Sequence, residues 1–435
     1  MGLVFIGCNG EEVDPEFEAM KDQIANLESQ LFNLDKVYSD LEKDLDALDP
    51  ITADYQDRIE KLEKQRNELL SKISLLEDQL PSLENSIVDE EVKVLLPAQY
   101  YLVPNDNFQL FYRSVIQAVN PYIYHIKLTG TVGHSYNRYF EFKPTTADEG
   151  RTYTLKIDVR DNNGNILGTG TTNLIVSSAD KTAPTKNILC IGDSLTFNGV
   201  WVQQGTKRYA EAGGGTINLL GTINSSSVKH EGRGGWQWSS FVNGYTSSVP
   251  SPFKSNSGSG ISFIDYCAKN SYTHIDELYI LMSYNGVGGS FRTFTMTAEP
   301  FKSAKILIDQ FHKDFPNGKV TLLGIPQPSV NGGLGAYYTI NQSYGDNYGQ
   351  FVTVLNYNKM LEDFANDPNY SSFMRYVDVK GQFDSEYNMP TEGKKVNNQN
   401  NTTEQVGNGM GIHPSNNGYM QIGDAFYRAL CHEWK

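Results

Sequence analysis

The sequence predicts a multidomain chain of 435 residues: an N-terminal coiled coil, an antiparallel β-sandwich, and a C-terminal three-layer α/β domain on a five-stranded parallel sheet. Three observations predict this. Apolar residues recur in alternating steps of three and four from Phe17 to Ile87. Short β-branched and aromatic runs separated by turn residues fill residues 93–178. From Asn187 onward, wholly apolar runs alternate with helical stretches. The boundaries are 1–13 (tether), 14–92 (coiled coil), 93–178 (sandwich), 179–186 (linker) and 187–435 (α/β domain).

Bulk properties narrow the partners. A net charge of −15 argues against nucleic acid, because phosphate binding needs a basic surface. Cys8, Cys190, Cys267 and Cys431 show no metal-ligand spacing, so neither a metal nor a cofactor is expected. The opening segment "MGLVFIGCNGEE" is a short apolar run ending in Ile6-Gly7-Cys8. It resembles the tail of a bacterial lipoprotein signal, which implies lipidation of Cys8 and a membrane anchor at the cell surface or in the periplasm.

In the coiled coil, Phe17, Met20, Ile24, Leu27, Leu31, Leu34, Tyr38, Leu41, Leu45 and Leu48 form one run of the a/d seam. The second runs from Tyr55 and Ile59 through Ile73 to Ile87. Asp49-Pro50 reads as an N-cap followed by proline at the first helical position, so a helix restarts there. A hairpin and a parallel oligomer both fit. Heptad phase is kept through Thr52, which a hairpin does not require. The expectation is therefore a parallel homo-oligomeric stalk, a trimer foremost, roughly 100 Å long at about 1.5 Å per residue.

The runs "YYLVP", "FQLFYRSVIQAV", "YIYHIKLTGTV", "RYFEFKP", "TYTLKIDVRD" and "TTNLIVSS" suggest an immunoglobulin-like sandwich without a disulfide. No catalytic residue types cluster there, and His125 and His134 read as structural. "SSADKTAPTK" is a polar linker.

In the α/β domain, "NILCI", "TINLL", "ELYILM", "KVTLLGI" and "YVDV" read as buried parallel strands, with helices at 298–315, 349–366 and 416–431. Functional groups of such a sheet gather at the carboxyl ends of its strands. Gly192-Asp193-Ser194-Leu195 follows the first strand, "HEGRGGWQW" (230–238) the second, and "MSYNG" with Asn285 the third. "GIHPSNNGY", with His413, precedes the last helix.

These four ordered blocks, across residues 187–432, resemble the SGNH/GDSL hydrolase family of esterases and acetylesterases. The resemblance implies that Ser194 attacks an ester carbonyl and that His413 takes its proton, since an alcohol is a poor nucleophile without a base. It also implies an oxyanion hole of the Ser194 N–H, a block-two glycine N–H and the Asn285 side-chain amide. Gly235 is chosen for the glycine, with Gly234 one register away. The sequence departs from the family twice. Gly286 stands where Asp often follows the Asn, and Met410 stands three residues before His413, where the acid that orients the histidine usually sits. A backbone carbonyl, Glu404 or Asn408 could substitute. Trp236 and Trp238 read equally as core or as rings that stack on a sugar; His230, His274, His312 and His432 read as structural or solvated.

Anchor, stalk, sandwich and enzyme together imply a surface carbohydrate esterase that removes acetyl groups from a glycan. Two other classes fit the same layout. One is a phage or prophage tail component that binds or deacetylates surface glycan, and the other is a glycan-binding module with an inactive site.

Overall fold

The structure, a computed structural model, describes residues 15–46, 53–88, 92–282, 284–288, 291–330, 347–395, 404–408, 411–432 and 434. Cys8 and Met410 lie outside the described residues. The chain divides into two compact units, Met1–Glu91 and Val92–Lys435.

In the first unit two helices, Pro15–Asp46 and Ala53–Val88, carry the heptad seam. Arg66 Nε donates to Asp35 Oδ1 at 2.9 Å, and Tyr38 OH donates to Glu63 Oε1 at 3.1 Å. Positions therefore rise along one helix as they fall along the other, and the pair is an antiparallel hairpin. Ile24 and Ile73 are buried on its seam. This corrects the expected parallel stalk. The segment between the helices tethers them, and a tethered partner is met at far higher effective concentration than a second chain.

The second unit begins with two small sheets that share one core. Gln99–Leu102, Ile166–Val176, Thr152–Arg160 and His125–Thr129 form one sheet, in that order; Phe108–Phe111, Tyr139–Phe142 and His134–Ser135 form the other. Tyr100, Leu102, Ile157 and Leu174 from the first sheet bury against Phe108, Leu110 and Phe140 from the second. One expectation is corrected: Gln99–Leu102 pairs in parallel with Asn173–Val176, so the sandwich is not wholly antiparallel. Parallel pairing needs a long crossover, and the whole of the second sheet lies between these two strands in the chain.

The parallel sheet follows, from β1 (Lys186–Gly192), β2 (Ile217–Leu220), β3 (Val228–Gly232), β4 (Glu277–Leu281), β5 (Lys319–Leu323) and β6 (Met374–Val377). β1 lies inside the sheet. β2 pairs with its first half and β3 with Ile191 and Gly192 on the same side, while β4, β5 and β6 extend the other side. β2 and β3 thus share one place beside β1, and Ile223–Ser225 pairs antiparallel with β3, so the sheet has seven strands, one of them antiparallel, and not the five parallel strands expected. Every residue of β4 is buried, as a parallel sheet covered on both faces requires.

Four long helices do the covering: α1 (Val200–Glu211), α2 (Glu299–Asp314), α3 (Asn347–Asn366) and α4 (Asn416–Cys431). α1 and α4 meet through the edge-to-face pair Trp201–Phe426, and α2 meets α3 through Phe301 with Tyr357 and Phe364. The chain leaves β1 toward one edge for β2 and β3, then crosses to the other side for β4. The carboxyl ends of β1 and β4 flank that switch in direction, where open α/β sheets form their ligand crevice.

Candidate active site

β1 is buried from Ile188 to Gly192 and then turns sharply into the short helix Ser194–Phe197. Asp193 caps that helix, its Oδ1 accepting from Leu195 N at 3.0 Å. A Cβ on Gly192 would stand 2.0 Å from Thr196 Oγ1 and 2.4 Å from Leu281 O, so only glycine lets the turn fold back beside β4. Ser194 thus opens a helix at the mouth of the sheet, half-buried, on a turn whose tightness is fixed by its neighbours.

His413 reaches this serine across 219 residues of chain: its Nε2 lies 2.9 Å from Ser194 Oγ. Two anchors flank it. Ser329 N donates to Gly411 O at 2.9 Å, and both the N–H and the hydroxyl of Ser415 donate to Asn388 O at 3.0 Å. Ser415 also caps α4, accepting from Gly418 N at 3.2 Å. Burial pulls the imidazole pKa below its usual 6.5, which favours the neutral ring that a base requires. The other ring nitrogen, Nδ1, is buried without a hydrogen-bond partner among the described residues. Glu404 and Asn408 lie on a strand, Glu404–Asn408, that pairs antiparallel with Thr391–Lys395.

Asn285 joins the remaining loops. Its Nδ2 donates to Trp236 O at 3.0 Å and to Asp193 Oδ2 at 3.2 Å. One amide therefore touches the residue before Ser194 and the residue after Gly235, so the loops after β1, β3 and β4 converge. Both of its protons are engaged. Trp236 N donates to Arg233 O at 3.2 Å, closing a turn whose third residue, Gly235, has φ +79°. That conformation suits glycine, and Gly234 does not share it. Gly286 has φ +77°, a left-handed backbone that favours glycine there over an L residue.

Both tryptophans belong to the core. Trp236 is 4% exposed and Trp238 2%, and Trp238 Nε1 donates to Tyr357 OH at 2.7 Å. Neither offers a face to a sugar as it stands, and that alternative is corrected. His230, His274, His312 and His432 are bound to neighbours: His230 to Ser225 and Gly232, His274 to Asp276, His312 against Phe373, and His432 against Tyr101. Ser329 and Asn388 went unread in the sequence because a backbone anchor has no residue signature.

Fold and site together define a class: a doubly wound α/β protein with a serine–histidine pair at its switch point. No family model matches the sequence, and no curated protein matches it. Among solved structures, the chain is similar to a possible lipase from Chitinophaga pinensis (14% identity over 56% of this chain and 97% of that one, TM-score 0.34). It is also similar to the aryl esterase of M. smegmatis (15% identity, 56% and 97%, TM-score 0.32) and to an extracellular lipase from Streptomyces rimosus (11% identity, 55% and 97%, TM-score 0.29).

Proposed function

We propose that the protein is a serine ester hydrolase of the SGNH/GDSL type, a surface carbohydrate esterase that removes acetyl groups from a glycan. The observation that carries this reading is the 2.9 Å approach of His413 Nε2 to Ser194 Oγ at the carboxyl end of β1. Neutral His413 takes the hydroxyl proton as Ser194 Oγ attacks the ester carbonyl. The oxyanion of the tetrahedral intermediate is met by the N–H groups of Ser194 and Gly235 and by Asn285 Nδ2. Asn285 serves it by exchanging its longer bond, the one to Asp193. Protonated His413 then returns the proton to the leaving alcohol, and water repeats the cycle on the acyl-enzyme. The surface location, with Cys8 lipidated, rests on the Ile6-Gly7-Cys8 pattern.

Among the described residues Nδ1 of His413 has no hydrogen-bond partner, which favours a second reading, a binding module with an inactive site, such as a virion tail component would carry. Acetate release from a small aryl ester and from acetylated glycans separates the two. The expected outcome is turnover by the native chain and a loss of about 10³ or more in Ser194→Ala, with the fold intact. Absence of turnover in both leaves the binding module; equal turnover in both removes Ser194 from the chemistry.

A further inference from the structure

The turn that holds Gly235 leads into the short helix Trp238–Asn243, and just beyond that helix stands Tyr245, 51% exposed. A lone exposed aromatic is ordinary on a protein surface; the mounting of this one is not. Its ring is held parallel to that of buried Trp236 in an offset stack, with centroids 5.9 Å apart and planes within 5°. The Arg233 guanidinium stands 4.9 Å from the same indole, and Arg233 Nη2 is bonded to buried Glu231 Oε2 at 2.6 Å. A tight turn fixes the backbone, with Tyr245 N donating to Val249 O at 2.8 Å and Val249 N to Thr246 O at 3.1 Å. The phenol oxygen hangs over the oxyanion turn, 3.2 Å from where a Gly235 side chain would begin. Exposed Thr246 and Ser248 follow it in the same turn, their hydroxyls 3.1 Å apart.

From this we infer that Tyr245 is the platform on which the ring bearing the ester lies, and that the ligand it selects is a pyranose. The inference rests on the esterase reading for what happens next, but not for binding. A pyranose has one face of C–H groups, which suit the negative face of an aromatic ring, and an equatorial rim of oxygens, which suit the hydroxyls of Thr246 and Ser248. A ring already held in a stack loses little freedom when the sugar docks, so one contact yields measurable affinity. Its place over Gly235 sets the ester at the oxyanion turn, within the loops that Asn285 draws together.

The test uses the full chain and two probes, the fully acetylated methyl glucoside and ethyl acetate, which has no ring. Binding of the glucoside is read by calorimetry in the Ser194→Ala background, and hydrolysis of both probes by pH-stat. The expected result is that Tyr245→Ala weakens glucoside binding about tenfold, and that KM for the glucoside rises about tenfold more than KM for ethyl acetate. Tyr245→Trp should restore both. Undetectable glucoside binding by the parent chain, or binding unaltered in Tyr245→Ala, overturns the platform. Tyr245-dependent binding by a chain that hydrolyses neither probe keeps the platform and ends the esterase reading.

Discussion

His413 enters the site with one nitrogen bonded to Ser194 and the other, among the described residues, without a hydrogen-bond partner. For Nε2 to accept the serine proton, the ring proton must sit on Nδ1, and burying an N–H without an acceptor costs about 1–3 kcal/mol. A carboxylate would relieve that cost and stabilise the imidazolium. Burial lowers the pKa below 6.5. The proposed rate requires neutral His413, so activity falls as pH drops through that lowered pKa, and the acid limb should lie below pH 6.5. Met410→Asp is expected to move the limb to higher pH, because a carboxylate in reach favours the charged ring. The pH profile of kcat/KM for both chains checks this. A limb above pH 6.5 in the native chain, or one unmoved by Met410→Asp, would mean that another group orients His413, Glu404 first.

At the scale of elements, β3 and the helix opened by Ser194 are stitched together by His230. Gly232 N donates to its Nδ1 at 2.9 Å, which places the ring proton on Nε2. Nε2 donates to Ser225 Oγ at 2.7 Å, and Ser225 Oγ donates in turn to Phe197 O at 2.8 Å. Burial lowers the pKa to about 4, with Glu231 opposing the shift and Arg233 adding to it. The unfolded chain therefore binds more protons between pH 6.5 and about 4, and the stability conferred by the neutral ring is full above that window and lost as pH falls through it. His230→Gln cannot titrate. It should be less stable than the native chain at neutral pH, with the gap closing toward pH 4; denaturant midpoints across the window measure it, and a constant gap would refute the linkage. How much of this level is legible in the sequence depends on period. The runs of β1, β4 and β5 and the helices α2, α3 and α4 coincide with their patterns to within two residues, because a buried strand or an amphipathic helix writes its own period. β3 is not legible in the sequence, since "GTINSSSVKHEG" carries turn residues that mask its strand period. The sequence does not separate hairpin from stalk, because a heptad seam looks the same whether its partner is the same chain or another.

In the second unit taken whole, the sandwich is a wall of the α/β domain and not the spacer its position in the chain suggests. Asp106 lies between two arginines of the α/β domain, Arg208 Nη2 and Arg428 Nε, each at 2.6 Å. Burial alone would raise the pKa of this carboxyl, but Arg428 and Arg208 hold it below the usual carboxylate range. Tyr100 OH donates to buried Asp378 at 2.6 Å, and Lys380 Nζ donates to Leu95 O at 3.0 Å. None of these pairings is legible in the sequence, because the partners stand 100 or more residues apart and a lone charge names no partner. One of the contacts leads to the site. Arg138 binds Asp384 Oδ1 at 2.7 Å and also binds Glu386, while Asp384 Oδ1 holds the N–H groups of Glu386 and Tyr387. Asn388, next in that loop, donates to Asp384 O and offers the carbonyl that anchors Ser415, two residues beyond His413. Removing Arg138 leaves two carboxylates mostly buried without their cation, at a cost of about 2–3 kcal/mol. It also loosens one of the two anchors of His413, and small misplacements of a base lower turnover by about tenfold or more. Asp106→Asn is the control, because it breaks an ion pair of the same interface that does not touch the loop. Both Arg138→Met and Asp106→Asn should lower the melting temperature, but only Arg138→Met should lower kcat. Equal kcat in the two variants, at a temperature where both are folded, would show that the sandwich supports the α/β domain without positioning its histidine.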